Sequence, residues 1–226
     1  MMPFPGGIDS LANGTLIISV GAGCLYLVLR GTEPVWRRTA LKVASVALLA
    51  LLALIAGGPI LLVIALLLCA VGDGFLAQDG EQYFLGGLVA FLFGHLVYIW
   101  LFVAVGFGFG DGFGQILSDP WRAGLVIAAV VCAGAMAMRL IPEVGEEMRL
   151  PLLGYMAAIV AMLTAAATMP LPMVVAGAAL FFVSDAILAA ERYLLEDGSL
   201  PKTVAGPAVW VLYYLGQMAI VLGFVL

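Results

Sequence analysis

Apolar segments long enough to cross a bilayer constrain this chain more than any other feature of its sequence. A membrane-spanning helix needs about 20 consecutive, mostly apolar residues. On that length the sequence predicts eight spans, with bounds good to a few residues: 11–29, 40–56, 59–77, 83–105, 121–141, 150–168, 171–190 and 203–226. The predicted fold class is all-α: a polytopic membrane protein, a bundle of eight transmembrane helices in one integral membrane domain, 1–226.

The composition supports a membrane protein and excludes several other classes. Hydrophobic residues make up 65% of the chain and charged residues 10%, whereas a soluble domain carries about 25% charged residues. The three cysteines lie inside apolar segments without CxxC spacing, and there is one histidine, so we expect no disulfide framework, no metal site and no cofactor. The sequence has no run of basic residues, so we expect no nucleic-acid partner. The first ten residues lack the positive region of a signal peptide, so we expect the first span to be retained.

Helix breakers and basic residues predict the topology. The turns at 57–59 and 169–172 are short and contain glycine or proline, so they predict two antiparallel hairpins. The glycine-rich segment 106–120 is expected to be a mobile loop or a re-entrant cap. One side of the membrane would receive eight Lys and Arg residues and the other side only Arg122. This asymmetry predicts a cell-membrane protein with both termini outside the cytoplasm.

Two similar segments each place an aspartate in a span. VGDGFLAQD (71–79) and VSDAILAAE (183–191) match at Val, Asp, Leu, Ala and the closing acid. They lie four spans apart, which would suit a four-plus-four parallel repeat, although apolar helices also share letters by chance. An acid at the bilayer centre costs about 2.5–3.5 kcal/mol and commonly marks a functional site. We expect Asp73 and Asp185 to lie at similar depth near the cytoplasmic side, where they could face each other; alternatively, each acid only caps a helix or snorkels to the interface.

Further polar residues lie within or beside the predicted spans. His95 is a candidate for proton transfer, and Tyr98, three residues later, shares its helix face; a hydrogen-bonded packing role is the alternative. Gln217 and Tyr214 form a stripe on the last span with Trp210, which predicts either a pocket lining or an interfacial aromatic belt with a helix-pairing glutamine.

Two polar residues adjoin the candidate acids or the cytoplasmic boundary. Ser184 precedes Asp185 and could bond a backbone carbonyl or the substrate. Lys42 begins the second span, where it is either a positive-inside anchor or a partner for a phosphate group.

The motifs that surround these residues resemble the YhhN family, also called the TMEM86 or lysoplasmalogenase family. The resemblance covers nearly the whole chain and lies in GDGFLA (72–77), GGLVAFLFGHLVYI (86–99), GAALFFVSDAILA (177–189) and YYLGQMAIV (213–221). It implies a hydrolase with eight helices that cleaves the vinyl-ether bond of lysoplasmalogens. By the same motifs, Asp73 and Asp185 would be the acids, with His95, Tyr98, Ser184, Tyr214 and Gln217 around them. The family often has alanine where this chain has Gly216, a change we expect to be conservative.

The residues fit the chemistry that the resemblance implies. Vinyl-ether hydrolysis needs a proton donor and a charged group that stabilises an oxocarbenium ion, as two carboxyl groups do for glycosides. The expected partners are a lysophospholipid, water and membrane lipids. The residues alone leave two other classes open: a proton-coupled transporter, which buried acids and a repeat would suit equally well, and a lipid-binding membrane protein without hydrolase activity.

Overall fold

The structure, a computed structural model, describes residues 2–32, 35–108 and 112–226, and in this part of the chain every regular element is helical. A single 3₁₀ turn, Gly7–Asp9, precedes the first α-helix. The α-helices are α1 (Leu11–Leu29), α2 (Val35–Ile55), α3 (Ile60–Leu76), α4 (Glu81–Gly108), α5 (Gly114–Ser118), α6 (Pro120–Leu140), α7 (Glu146–Ala167), α8 (Pro172–Tyr193) and α9 (Leu200–Val225). The predicted all-α class is confirmed.

The helix lengths make the chain a multi-pass membrane protein. Seven helices are at least 18 residues long and apolar enough to cross a bilayer. They correspond to seven of the predicted spans, and their ends differ from the predicted ones by up to five residues. The predicted span 59–77 is α3, an apolar helix of only 17 residues, which lies at the lower limit of the spanning range.

Large apolar side chains cover much of the molecular surface. Val28, Val131 and Met138 are 75%, 64% and 75% exposed, and many other aliphatic and aromatic residues on the long helices are exposed as well. Water-soluble monomers rarely expose contiguous apolar patches of more than a few hundred Å². The surface therefore suits contact with lipid, as the composition predicted.

The glycine-rich segment 106–120 is more helical than predicted. Helix α4 continues to Gly108 and α5 occupies 114–118, so a loop over the whole segment is wrong, whereas the re-entrant cap stays a prediction; residues 109–111 lie outside the described part. The ring centres of Phe107 and Phe113 are 5.6 Å apart in an edge-to-face arrangement. This contact between two apolar side chains favours ordered backbone on either side of 109–111.

The chain divides into two compact units. The first unit comprises Met1–Tyr98 and Val221–Leu226, and the second unit comprises Ile99–Ile220, so α4 and α9 each contribute to both. Within the first unit, α1 packs against α2 and α2 against α3. Within the second unit, α6, α7 and α8 pack against one another and α5 packs against α6. The two predicted hairpins, α2–α3 and α7–α8, are therefore present, one in each unit.

A glycine turn closes the α2–α3 hairpin. Gly57 has a φ of 75°, a left-handed conformation that glycine adopts without a steric penalty. The following N–H, of Gly58, donates to the carbonyl of Ala53 at 2.7 Å and so satisfies the end of α2. Pro59 then caps α3. Because the turn is so short, residues at equal distances from it lie at the same level of the two helices.

A buried arginine holds the turn of the α7–α8 hairpin. Arg122 is 3% exposed, and its guanidinium donates to the carbonyls of Ala167 at 2.9 Å and Met169 at 2.6 Å. It also donates to the Asp119 carboxylate at 2.8 Å. These carbonyls lie at the end of α7, where the helix dipole favours a cation. Arg122 is the one basic residue on the predicted non-cytoplasmic side, and it is buried and paired with an acid.

Candidate functional site

Asp73 lies in the last turn of α3 and forms a buried ion pair. Its side chain is 1% exposed, and the Lys42 Nζ atom on α2 lies 3.2 Å from its Oδ1 atom. The Lys42 side chain is itself only 11% exposed. A buried carboxylate is unfavourable unless it is paired, so the position of Lys42 explains how the first unit keeps an acid among apolar residues.

The lysine of this pair is held by neighbouring groups on α1 and α2. Its Nζ atom lies 5.9 Å from the centre of the Tyr26 ring, a cation–π distance. The Ser45 hydroxyl donates to the Lys42 carbonyl at 2.7 Å, and the Ser19 hydroxyl donates to the Ser45 carbonyl at 2.6 Å. Through these contacts α1 fixes the part of α2 that presents Lys42 to Asp73.

Asp185 lies on α8 in the second unit and bonds a tyrosine. The Tyr155 hydroxyl on α7 donates to the Asp185 Oδ2 atom at 2.5 Å. Tyr155 is buried, whereas Asp185 is partly exposed. The preceding Ser184 is buried and donates to the Val209 carbonyl on α9 at 2.9 Å. Of the two roles predicted for Ser184, the bond to a backbone carbonyl is confirmed.

Aromatic residues of α9 line the interior of the second unit. The rings of Trp210 and Tyr214 stack with centres 5.7 Å apart, and Tyr213 meets Phe181 edge to face at 5.1 Å. Gln217 is fully buried, and Trp210 and Tyr214 are only 3% and 7% exposed. Residues of an interfacial belt would be more exposed than this, so the buried lining is the better description of the stripe.

Two glycines bring α8 and α9 into backbone contact beside this stripe. A Cβ atom placed on Gly216 would lie 2.8 Å from the Gly177 carbonyl oxygen, and one on Gly177 would lie 2.6 Å from the Gly216 carbonyl oxygen. Such contacts are shorter than real Cβ atoms show. The expectation that glycine for alanine at position 216 is conservative is therefore wrong here, because the opposing atom is backbone and cannot rotate away.

His95 and Tyr98 lie on the part of α4 that belongs to the first unit. Both are fully buried. Next to His95, a Cβ atom on Gly94 would come within 2.9 Å of the Cys69 sulfur on α3. Helices α3 and α4 therefore pack closely at Gly94, as membrane helices with small residues commonly do.

The predicted site residues are divided between the two units, four in each. The first unit holds Asp73, Lys42, His95 and Tyr98, and the second holds Asp185, Ser184, Tyr214 and Gln217. Within the first unit, Asp73 and Lys42 are joined to each other by an ion pair. The approach of Asp73 to Asp185 stays a prediction.

The register of the first hairpin could have revealed the Lys42–Asp73 pair. Lys42 precedes Gly57 by as many positions as Asp73 follows Gly58. In an antiparallel hairpin with a tight turn, such residues reach the same level of neighbouring helices. The sequence interpretation treated Lys42 as a membrane anchor or phosphate partner and missed this ion pair.

The same counting applies to Tyr155, which the sequence interpretation missed altogether. Tyr155 and Asp185 are equally far along the chain from Pro170, which lies at the turn of the second hairpin. Each hairpin thus brings the aspartate of its second helix against a polar residue of its first helix. This correspondence agrees with the four-plus-four repeat, which nevertheless stays a prediction.

Comparison with known proteins identifies one family. The model of the YhhN family matches residues 37–224, a range that includes every predicted site residue. No curated protein and no solved structure matches the chain significantly.

Proposed function

Because the chain belongs to the YhhN family, we propose that it is an intramembrane hydrolase that cleaves the vinyl-ether bond of lysoplasmalogens. The products would be a fatty aldehyde and glycerophosphoethanolamine or glycerophosphocholine. The observation that carries the proposal is the pair of aspartates in apolar helices, each with a polar partner: Asp73 with Lys42 at 3.2 Å and Asp185 with Tyr155 at 2.5 Å. Acids kept in this way within membrane helices are typical of functional sites.

The reaction needs one carboxyl group to donate a proton and another to remain charged. Protonation of the vinyl carbon β to the ether oxygen produces an oxocarbenium ion, which a nearby carboxylate stabilises. Water then attacks the carbon attached to that oxygen and forms a hemiacetal. The hemiacetal collapses to the aldehyde and the free alcohol of the glycerophospho-base. No cofactor is required at any step.

The remaining candidate residues would bind the substrate or move protons. We assign proton transfer to His95, which is fully buried on α4. Tyr98, Ser184, Tyr214 and Gln217 would contact the substrate near the reacting bond. The apolar tail would lie among the helices, and the exposed Arg37 is a candidate cation for the phosphate.

The distribution of basic residues supports a cytoplasmic position for the substrate head group. Eight of the nine Lys and Arg residues lie on the predicted cytoplasmic side, and the exception, Arg122, is buried. We therefore propose that the protein resides in the cell membrane with both termini outside the cytoplasm. Water and the lysophospholipid would enter from the cytoplasmic leaflet.

The test is aldehyde release by the purified protein in detergent, measured with an aldehyde-reducing enzyme and its nicotinamide cofactor. A lysoplasmalogen should yield aldehyde, whereas monoacyl and diacyl phospholipids should not. Asp73→Asn and Asp185→Asn should each abolish the activity. Asp79→Asn is the matched control, since Asp79 is 99% exposed and follows Asp73 closely in the chain.

Two results would contradict the proposal. Wild-type rates in Asp73→Asn or Asp185→Asn would remove that residue from the chemistry. Absence of aldehyde from folded wild-type protein, together with movement of intact substrate across a vesicle membrane, would instead identify a transporter.

A further inference from the structure

We propose that Phe91 on α4 is a positioning residue that determines where Asp73 lies. Its ring packs on Gly72, the residue before Asp73, and so holds the last turn of α3 where Asp73 meets Lys42 on α2. The inference rests on the proposed hydrolase function and deepens it, because it names a residue that acts through an acid of the reaction. Every residue of the argument belongs to the first unit.

The Phe91 ring lies directly against the backbone of Gly72. A Cβ atom placed on Gly72 would lie 2.6 Å and 2.7 Å from the Cδ2 and Cε2 atoms of the ring and 3.1 Å from Cγ. Cγ joins the ring to the rest of the side chain, so a rotation of the ring about its own axis would leave this atom in place. Phe91 is only 5% exposed, and a close-packed interior leaves little space into which the ring could move. A methyl group at position 72 would therefore force the two helices or the ring to shift.

Two further glycine contacts fix α3 along the axis of α4. A Cβ atom on Gly87 would come within 2.6 Å of the Leu76 side chain, and one on Gly94 would come within 2.9 Å of the Cys69 sulfur. On each helix the three contact positions are spaced by three or four residues, so they share one face. Because glycines of each helix receive side chains of the other, α3 cannot slide along α4 without bringing side chains into collision.

Contacts with α2 hold the same turn of α3. The Lys42 Nζ atom lies 3.2 Å from the Asp73 Oδ1 atom, and a Cβ atom on Gly74 would be 3.4 Å from the Val43 side chain. A displacement of about 0.8 Å that lengthens the ion pair would take it beyond the 4 Å limit of such contacts. Since Gly72 and Asp73 are adjacent, a backbone shift that relieves a contact at Gly72 moves the carboxylate as well.

In this role Phe91 affects the reaction rate through Asp73 and not through the substrate. Misplacement of a catalytic group by about 1 Å can lower a rate by about a hundredfold. Binding of the lysophospholipid depends on other groups, so KM should change less than kcat. The split between kcat and KM therefore separates positioning by Phe91 from direct contact with the substrate.

Steady-state kinetics with reciprocal substitutions test this role. In Gly72→Ala we expect kcat to fall by about tenfold or more while KM changes less than about twofold, because the new methyl group displaces the turn that carries Asp73. Adding Phe91→Leu to this variant should restore most of the rate, since the smaller side chain makes room for the methyl group. Phe91→Leu alone creates no collision but leaves a space beside Gly72, and it should lower kcat by about two- to tenfold at constant KM.

The controls carry the same substitutions at exposed positions of the first unit. A Cβ atom on Gly21 would meet nothing within 4 Å, and Phe93 is 53% exposed, so Gly21→Ala and Phe93→Leu should keep wild-type rates. A wild-type kcat in Gly72→Ala or in Phe91→Leu would overturn the proposal. A rise in KM with unchanged kcat would do the same, as would an equal loss of rate from Gly72→Ala with phenylalanine and with leucine at position 91.

A stability measurement tests the positioning independently of activity. Lys42→Met should lower the melting temperature of the wild type, since it leaves the buried Asp73 charge without the Lys42 ammonium. In Gly72→Ala the same change should lower it less, because the displaced carboxylate has already lost part of this interaction. In Gly21→Ala the fall should equal that of the wild type.

The two measurements together separate this inference from the proposed function. Equal falls in melting temperature in all three backgrounds would refute the positioning of Asp73 by the contact at Gly72, whether or not the protein releases aldehyde. A smaller fall in Gly72→Ala, with no aldehyde from the folded wild type, would contradict the hydrolase function and leave the positioning contact intact.

Discussion

Replacement of Gly216 by alanine tests how the structure positions the stripe on α9. The new Cβ atom would lie 2.8 Å from the Gly177 carbonyl oxygen and 3.1 Å from the Phe181 backbone nitrogen. To restore an ordinary contact of 3.4 Å, α8 and α9 must separate locally by about 0.6 Å. The displaced residue next to the substitution is Gln217, which is fully buried.

The expected cost follows from two opposing effects. Overpacking of a well-packed interior costs about 1–3 kcal/mol, while exchange of glycine for alanine within a helix contributes up to about 1 kcal/mol of stabilisation. Because the opposing atoms belong to backbone, repacking of side chains cannot relieve the contact. We therefore expect Gly216→Ala to lower the free energy of unfolding by about 1–2 kcal/mol.

Gly134→Ala on α6 is the matched control. A Cβ atom at Gly134 would meet nothing within 4 Å, so this variant keeps the gain in helix propensity without the contact. Thermal unfolding in detergent should give a lower melting temperature for Gly216→Ala and an equal or higher one for Gly134→Ala. If the two variants are equally stable, α8 and α9 do not meet at Gly177 and Gly216 as described.

Three further predictions concern single side chains. Tyr155→Phe should reduce kcat/KM by about two- to tenfold, since a hydrogen bond contributes about 0.5–1.5 kcal/mol, and unchanged kinetics would exclude Tyr155 from supporting Asp185. Arg122→Leu should lower the free energy of unfolding by about 3 kcal/mol in denaturant titrations. Arg122→Lys should have an intermediate effect because lysine lacks the guanidinium fork. Equal stability of Arg122→Leu and wild type would contradict the role of the guanidinium. Asn13→Ala should accelerate proteolysis of the first ten residues, because the fully buried Asn13 amide bonds both the N–H and the carbonyl of Phe4; an unchanged cleavage rate would show that other contacts hold this segment.

Much of the fold could be predicted because the bilayer demands it. Long apolar runs can satisfy their backbone groups in lipid only as helices, so composition and run length were enough to locate them. Short turns with glycine or proline then identified the two hairpins. The segment 106–120 was misjudged because its glycines suggested a loop, while the apolar side chains of Phe107 and Phe113 pack against each other in helical surroundings.

The contacts of the site were harder to predict because apolar helices hide their orientation. In a soluble protein the alternation of polar and apolar residues shows which face of a helix is buried. Here both the lipid-facing and the protein-facing sides are apolar, so the sequence located Asp73 and Asp185 but not Tyr155, and it did not reveal that Lys42 pairs with Asp73. Gly216 was misjudged for a related reason: its importance depends on Gly177, which lies on the preceding helix, far away along the chain.

The shortness of α3 couples the protein to the thickness of its host membrane. Its 17 residues span about 26 Å at 1.5 Å per residue, less than the roughly 30 Å hydrocarbon layer of a typical bilayer. The lipids around it must therefore thin, or the ends of α3 must sink below the head groups. Because Asp73 occupies the last turn of this helix, thicker bilayers would draw the Lys42–Asp73 pair deeper into hydrocarbon, and thinner ones would bring it closer to water.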